Sequence, residues 1–587
     1  MKQNRILLIS ALMCLSLGLH AQKTELRDYQ GTRRLFWRGE PFLMLSGELH
    51  NSTSSSLGYL SQTMESLRAM HLNSVIVTVE WDQLEPREGV YDFTMVDHII
   101  DLSEKLQMPV AIAWFGTWKN GVSSYIPTWM KADPKRFFRV KNDKGESTDT
   151  ISPFCMAAKE ADKKAFTALM KHIAQRDRNN MVLMMQVENE IGLWTQSIDH
   201  GTQAQKAFSG KVPSELISFL QKNAGSLSSP IAKAWLSSGS RTSGTWKEVF
   251  GESDDTEAFF MAWHFASYVE DIAAAGKAQY DIPMFMNTVA MSSSMPTPPA
   301  PPQAAAPAGQ GNGQGAAPQG APARRRNPNF PSGAPVANAI DIYHAAAPSI
   351  DFFSPDIYMP AFKAISDDFT RKDNPLFIPE TSRNASPAYY AFANNDAIGF
   401  SAFAVEDAFL DRDYVGTYAT LSELLPIISK YQGTGKMKGF VREMGSTGET
   451  ISLDGYTVNV KYVAEESRAF GLVIKTGEDE FLLSGIGCLI SISKDDPKAV
   501  SRYDYVQEGH FEGEKWVSEV LLNGDQTSHG QEVYLRGRME YAEGVTLPEG
   551  QVFPKRNVAS SETRQDIVTS RPKDPSVYMT RVFTYPK

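Results

Sequence analysis

Met181-Val-Leu-Met-Met-Gln-Val-Glu-Asn189-Glu190 and Pro375-Leu-Phe-Ile-Pro-Glu380 are apolar runs that each stop abruptly at a carboxylate. A strand buried on both faces must be apolar along its length, while its last residue opens onto a cleft. The pattern is that of parallel barrel strands presenting side chains at their C-terminal mouth. A single strand-end glutamate is more often a helix cap or a lysine partner than a catalyst. Two on different strands meet the requirement of retaining glycoside hydrolysis, in which one carboxylic acid protonates the leaving oxygen. The other, as a carboxylate, attacks the anomeric carbon from about 5–5.5 Å away. Asn189 beside Glu190 strengthens the reading, because an amide there can hydrogen-bond a sugar hydroxyl next to the leaving group.

Working outward, strand-like runs alternate with helical ones from about residue 34 to residue 433, the signature of a parallel α/β fold. The runs are 41–45, 74–79, 109–114, 181–187, 283–286, 351–358, 376–378 and 397–403. Helical stretches such as 93–106 and 158–176 lie between them, so a (β/α)8 TIM barrel is expected, with Glu190 ending the fourth strand and Glu380 the seventh. No Gly-x-Gly-x-x-Gly follows an early strand, which removes support for a dinucleotide fold. Residues 293–329, rich in Pro, Ala, Gly and Gln, cannot bury a core and read as a disordered insertion at the mouth of the barrel. After residue 433 short alternating runs (450–453, 456–463, 469–474, 481–486) predict a smaller antiparallel β-sandwich-like domain over 434–587. It either buttresses the barrel or binds glycans, and buttressing is the simpler expectation.

The chain has 587 residues, long enough for a barrel and one further domain, and its net charge of −10 with no basic stripe argues against a nucleic-acid partner. Residues 1–21 carry Lys2 and Arg5, an apolar run and a closing Leu-His-Ala, the composition of a secretory signal peptide. A periplasmic or secreted protein without membrane insertion is therefore expected, with Cys155 and Cys488 as two free buried thiols. No His-Glu-x-x-His or Gly-x-Ser-x-Gly is present, so neither a metal nor a serine nucleophile is expected, and no cofactor is called for. His50, at the end of the first strand, borders the sugar or supports a residue that does.

Gln186-Val-Glu188-Asn189-Glu190-Ile-Gly192 closely resembles the acid/base motif of the β-galactosidases of glycoside hydrolase family thirty-five, in clan A. Glu80-Trp81-Asp-Gln-Leu-Glu85-Pro86, with Tyr91-Asp92-Phe93 after it, resembles that family's second-strand segment. Ile126-Pro127-Thr-Trp129 resembles its Leu-Pro-x-Trp turn, and residues 327–358 look like the bacterial branch with an extra C-terminal β-domain. The resemblance implies Glu190 as general acid/base and Glu380 as nucleophile. It also implies Asn189 and Glu188 near the sugar, with Trp81, Trp118 and Tyr358 in the cleft and Tyr358 donating a hydrogen bond that keeps the nucleophile ionised. Trp118 is equally readable as a core aromatic. The sequence departs from the family pattern after the third strand, where Trp114-Phe-Gly-Thr-Trp118-Lys-Asn120 replaces a Cys/Asn-Ala-Glu segment.

The reading is then an exo-acting, retaining β-galactosidase that trims terminal galactose from oligo- or polysaccharide side chains of plant origin. Another clan A glycosidase and a non-catalytic carbohydrate-binding protein are the alternatives. A binder has no need of a matched acid and nucleophile, which sets the second of them back.

Overall fold

The computed structural model describes residues 23–225, 230–290, 331–358, 360–538 and 574–587. The signal-like segment 1–21 and the 293–329 insertion lie outside the described residues.

Eight parallel strands form one sheet: Met44–Glu48, Val75–Glu80, Val110–Lys119, Val182–Asn189, Met284–Val289, Phe352–Asp356, Phe377–Ile378 and Gly399–Phe403, called here the first to eighth barrel strands. Each pairs with its neighbours in chain order, and the eighth returns to the first with Gly399 opposite Met44. The sixth and seventh meet where the Ile357 amide donates to the Glu380 carbonyl at 2.9 Å. The sheet therefore closes into the expected (β/α)8 barrel. Strand alternation sends Met44, Ile76, Ala111, Met184, Phe285, Phe352 and Phe377 into the lumen. Phe285 stacks on Phe352 at 5.3 Å and meets Phe377 edge-on at 5.2 Å, filling the barrel as a packed core. Val75, Val77, Val110 and Ile112 turn outward to the helices.

The first barrel strand begins at Met44, later than the 41–45 expected. Residues before it build a three-stranded antiparallel meander, Glu25–Tyr29, Thr32–Trp37 and Glu40–Pro41. Leu35 of this meander joins the lumen cluster, and the Trp37 indole donates to the Asn180 carbonyl at 2.5 Å, just before the fourth strand. The meander thus seals the N-terminal end of the barrel, opposite the mouth.

After the barrel come two antiparallel sheets, one built from Met437–Val441, Phe470–Lys475, Glu480–Ile486, Ser576–Pro586, Ala499–Glu512 and Lys515–Leu521. The other contains Gly448–Leu453, Tyr456–Tyr462, Cys488–Lys494 and Val533–Leu535. Val458, Val473, Leu483 and Ile490 belong to their shared core. This sandwich packs on the helices that follow barrel strands six to eight. Tyr389 meets Phe470 at 4.9 Å, Asn394 Nδ2 donates to the Gly439 carbonyl at 2.8 Å, and Lys363 pairs with Glu449 at 2.7 Å. Cys155 and Cys488 are free and buried. Among the described residues no helix is long and apolar enough to cross a membrane.

Candidate active site

At the C-terminal mouth, carboxylate oxygens of Glu190, Asp356 and Glu380 lie within 4.8 Å of one another. They come from just past the fourth strand, the end of the sixth and just past the seventh. Asn287, near the end of the fifth strand, fixes their arrangement. Its Nδ2 donates to Glu380 Oε1 at 3.0 Å and to Asn189 Oδ1 at 3.1 Å, while its Oδ1 accepts from the Glu190 amide at 3.0 Å. The Gln186 amide donates to Asn189 Oδ1 at 3.0 Å, and Asn189 donates to Asn120 at 3.3 Å, so the Asn189 side chain is held from three sides. The Tyr358 hydroxyl donates to Glu380 Oε2 at 2.9 Å. Glu380 thus accepts two hydrogen bonds, one on each oxygen.

Glu190 has the opposite surroundings. Burial, and then the charge of Glu380, push its carboxyl up to about 7, partly offset by the Lys119 ammonium and a hydrogen bond with Asp356. The Tyr358 hydroxyl is held well above its usual range, by burial first and the Glu380 charge second, so it stays protonated and donates. Glu190 is therefore built to carry a proton, while Glu380 is held by two donors. Environments that separate two acids in this way are how a general acid and a nucleophile are assigned. Oxygens within 4.8 Å of one another suit a double displacement, in which the two carboxyls stand about 5–5.5 Å apart.

Three further charged residues border this pair. Glu48, the last residue of the first strand, is fully buried, and burial followed by the Glu380 charge raises its carboxyl well above the usual range. The same two causes raise Asp356. Lys119 ends the third strand; burial lowers its ammonium, but Glu380, Glu190, Glu48 and Asp356 together outweigh that and raise it. The Glu190, Asp356 and Glu380 oxygens are close enough together to hold a cation, and the Lys119 ammonium feels the charge of all three.

Not all expected site residues reach the cleft. Period-two alternation would set Glu188 on the lumen face with Gln186, but Glu188 takes a left-handed backbone conformation (φ 64°), and the inner position passes to Asn189. The Glu188 carboxylate instead lies behind the wall, where Oε1 accepts from the Thr117 amide at 3.1 Å and Oε2 from the Trp118 amide at 2.7 Å. Beside it, Asp162 accepts from the Trp114 indole at 3.0 Å and the Thr117 hydroxyl at 2.6 Å. Burial, then the Asp162 charge, raises Glu188 well above the carboxylate range, so the pair keeps one proton between them. Gly116 is required here, since a Cβ would stand 2.8 Å from Glu188 Oε1 and 2.4 Å from the Trp114 indole nitrogen.

Trp118 is likewise a wall residue, packed on Phe265 and Tyr268 at 5.0 and 4.5 Å and donating to the Ile151 carbonyl. Trp81 is fully buried, with its indole donating to Glu85 at 2.7 Å. Glu188, Trp81 and Trp118, expected near the sugar, thus spend their polar groups on contacts within the wall. Tyr358, 47% exposed, stands at the mouth as expected. His50 is at the rim, where its Nε2 meets Asp407 at 3.0 Å and its amide donates to Glu406 at 3.0 Å. The sequence reading missed Asn287, Glu48, Lys119 and Asp356, although the last three end barrel strands, the signal by which Glu190 was found.

Residues 55–253 match a family model described as beta-galactosidase, that of glycoside hydrolase family 42. Residues 414–534 match a domain of unknown function (DUF5597). The family match corrects the resemblance to family thirty-five: both families belong to clan A, and the Asn-Glu motif does not separate them. It covers Glu190 and leaves Glu380 outside. No curated protein matches the chain. Similar solved structures include a beta-galactosidase from Bacillus circulans sp. alkalophilus, with 14% identity and a TM-score of 0.38 over 61% of this chain and 50% of that one. Another is a beta-galactosidase from Rahnella sp. R3, with 15% identity and a TM-score of 0.42 over 67% of this chain and 57% of that one. The chain thus spans only about half the length of these proteins.

Proposed function

We propose that this chain is a retaining, exo-acting β-galactosidase that releases terminal galactose from oligo- or polysaccharide side chains. The observation that carries the reading is the split between Glu380, which accepts hydrogen bonds from Asn287 and Tyr358, and Glu190, a buried carboxyl pushed up to about 7 beside it. Glu380 attacks the anomeric carbon while Glu190 gives its proton to the departing oxygen. Glu190 then takes a proton from the water that frees the sugar. The choice of a galactoside is supported by the family match over 55–253. Export to the periplasm or beyond, supported by the composition of residues 1–21, would bring the enzyme to fragments of plant polysaccharide.

The test is hydrolysis of nitrophenyl β-galactoside followed by proton NMR of the first-formed sugar. The β-anomer is expected before mutarotation. Turnover of a different glycoside only would keep the mechanism and remove galactose, and an α-anomer would remove the double displacement.

A further inference from the structure

Lys119, Glu48 and Asp356 face the catalytic pair with no task in the displacement itself. Glu48 and Asp356 are 0% and 1% exposed; neither Glu48 oxygen has a hydrogen-bond partner in the protein, and Asp356 meets only the neighbouring Glu190 carboxyl. Lys119 is 8% exposed, and among the described residues its ammonium makes no hydrogen bond or ion pair. It rests over the Phe115 ring, 4.7 Å from the centroid. Buried polar groups in native proteins are nearly always hydrogen-bonded, to protein, water or ligand. The Glu188 and Asp162 carboxyls behind the same wall, each held by protein donors, follow that rule.

The unfilled groups therefore point to a partner that enters the cleft. That partner must offer both acceptors, for the ammonium, and donors, for the carboxyls. A sugar hydroxyl has one donor and two lone pairs, and neighbouring ring hydroxyls repeat the set.

We infer that Lys119, Glu48 and Asp356 form the wall that grips the glycone: the ammonium donates to a ring hydroxyl, and Glu48 and Asp356 accept from that hydroxyl or its neighbour, making Lys119 the residue that decides which sugar is accepted. This rests on the glycosidase reading above. A site built to hydrogen-bond a hydroxyl rejects the analogue lacking it, because its own buried groups are then left unpaired.

The experiment compares wild type with Lys119→Met on nitrophenyl β-galactoside and its 2-, 3-, 4- and 6-deoxy analogues, beside calorimetric titration of both proteins with free galactose, glucose and xylose. Wild type should lose about 100-fold or more in kcat/KM on at least one analogue. Lys119→Met should treat that analogue and the parent alike to within about threefold. Glu48→Gln should blunt the same penalty, and it carries the test if Lys119→Met does not fold. Galactoside turnover with deoxy penalties unchanged in the variants would overturn the glycone wall and leave the reaction standing. Lys119-dependent sugar binding with no galactoside turnover would keep the wall and remove the β-galactosidase reading. Neither turnover nor binding by wild type would overturn both.

Discussion

Two buried carboxyl clusters lie two residues apart along the fourth strand, and they differ in every respect that matters to function. Behind the wall, Glu188 and Asp162 are saturated by the Thr117 and Trp118 amides, the Thr117 hydroxyl and the Trp114 indole. In the cleft, Glu190 and Glu380 stand with Glu48, Asp356 and Lys119; among the described residues no protein N–H or hydroxyl donates to the Glu48 or Asp356 carboxyl, and the Lys119 ammonium donates to none. Both clusters carry strongly perturbed acids, so perturbation alone does not separate them. Satisfaction by hydrogen bonds does. A cluster completed by its own fold holds structure, and one left incomplete is arranged for a ligand.

The largest expected effect is that of Glu380→Ala, which should lower kcat on the order of 10⁵-fold while leaving the melting temperature close to wild type. Added azide should restore turnover and give the inverted glycosyl azide, read by NMR. Unchanged kcat would dissolve the distinction between cleft and wall. Next comes Glu190→Gln, with a loss of roughly 10²–10⁴-fold on substrates with poor leaving groups and a smaller loss on activated aryl glycosides, seen by comparing the two in steady-state assays. Because Glu190 acts as an acid, wild-type kcat/KM should fall as pH rises through about 7, and this limb should vanish in the variant.

Glu188→Ala should act mainly on stability. It orphans the buried Trp118 amide, while the Thr117 amide keeps its bond to Asp162, and denaturant unfolding should register about 1–3 kcal/mol. If instead KM rose sharply with stability intact, Glu188 would belong to the cleft. The smallest effect is that of Trp81→Phe, which loses one buried hydrogen bond worth about 1 kcal/mol and should leave KM within about twofold.

Much of this was legible in the sequence, and the exceptions have physical causes. All eight barrel strands announce themselves as apolar runs, because a parallel strand covered on both faces has no polar side to show. The N-terminal meander does not, since its strands are short and carry Arg27, Arg33 and Arg34. Glu190, Glu380 and Tyr358 stand where strand ends predict. Glu188 escapes the prediction through one left-handed residue, which no periodicity reveals. Trp118 follows from the same event, because the third strand bulges between Trp114 and Lys119 to bring its amides to Glu188. Glu48, Lys119 and Asp356 are visible in principle as polar last residues of otherwise apolar barrel strands, whereas Asn287 stands two residues before the end of its strand, with Thr288 beyond it, and carries no such signal.

The central claim is that Glu380 attacks the sugar. Incubation with 2-deoxy-2-fluoro-β-galactosyl fluoride, whose fluorine slows release of the covalent intermediate, followed by peptide mapping by mass spectrometry, tests it directly. The account predicts stoichiometric inactivation with the label on the peptide containing Glu380. A label on Glu190, Glu48 or Asp356, or steady hydrolysis of galactosides with no labelled peptide, would contradict it.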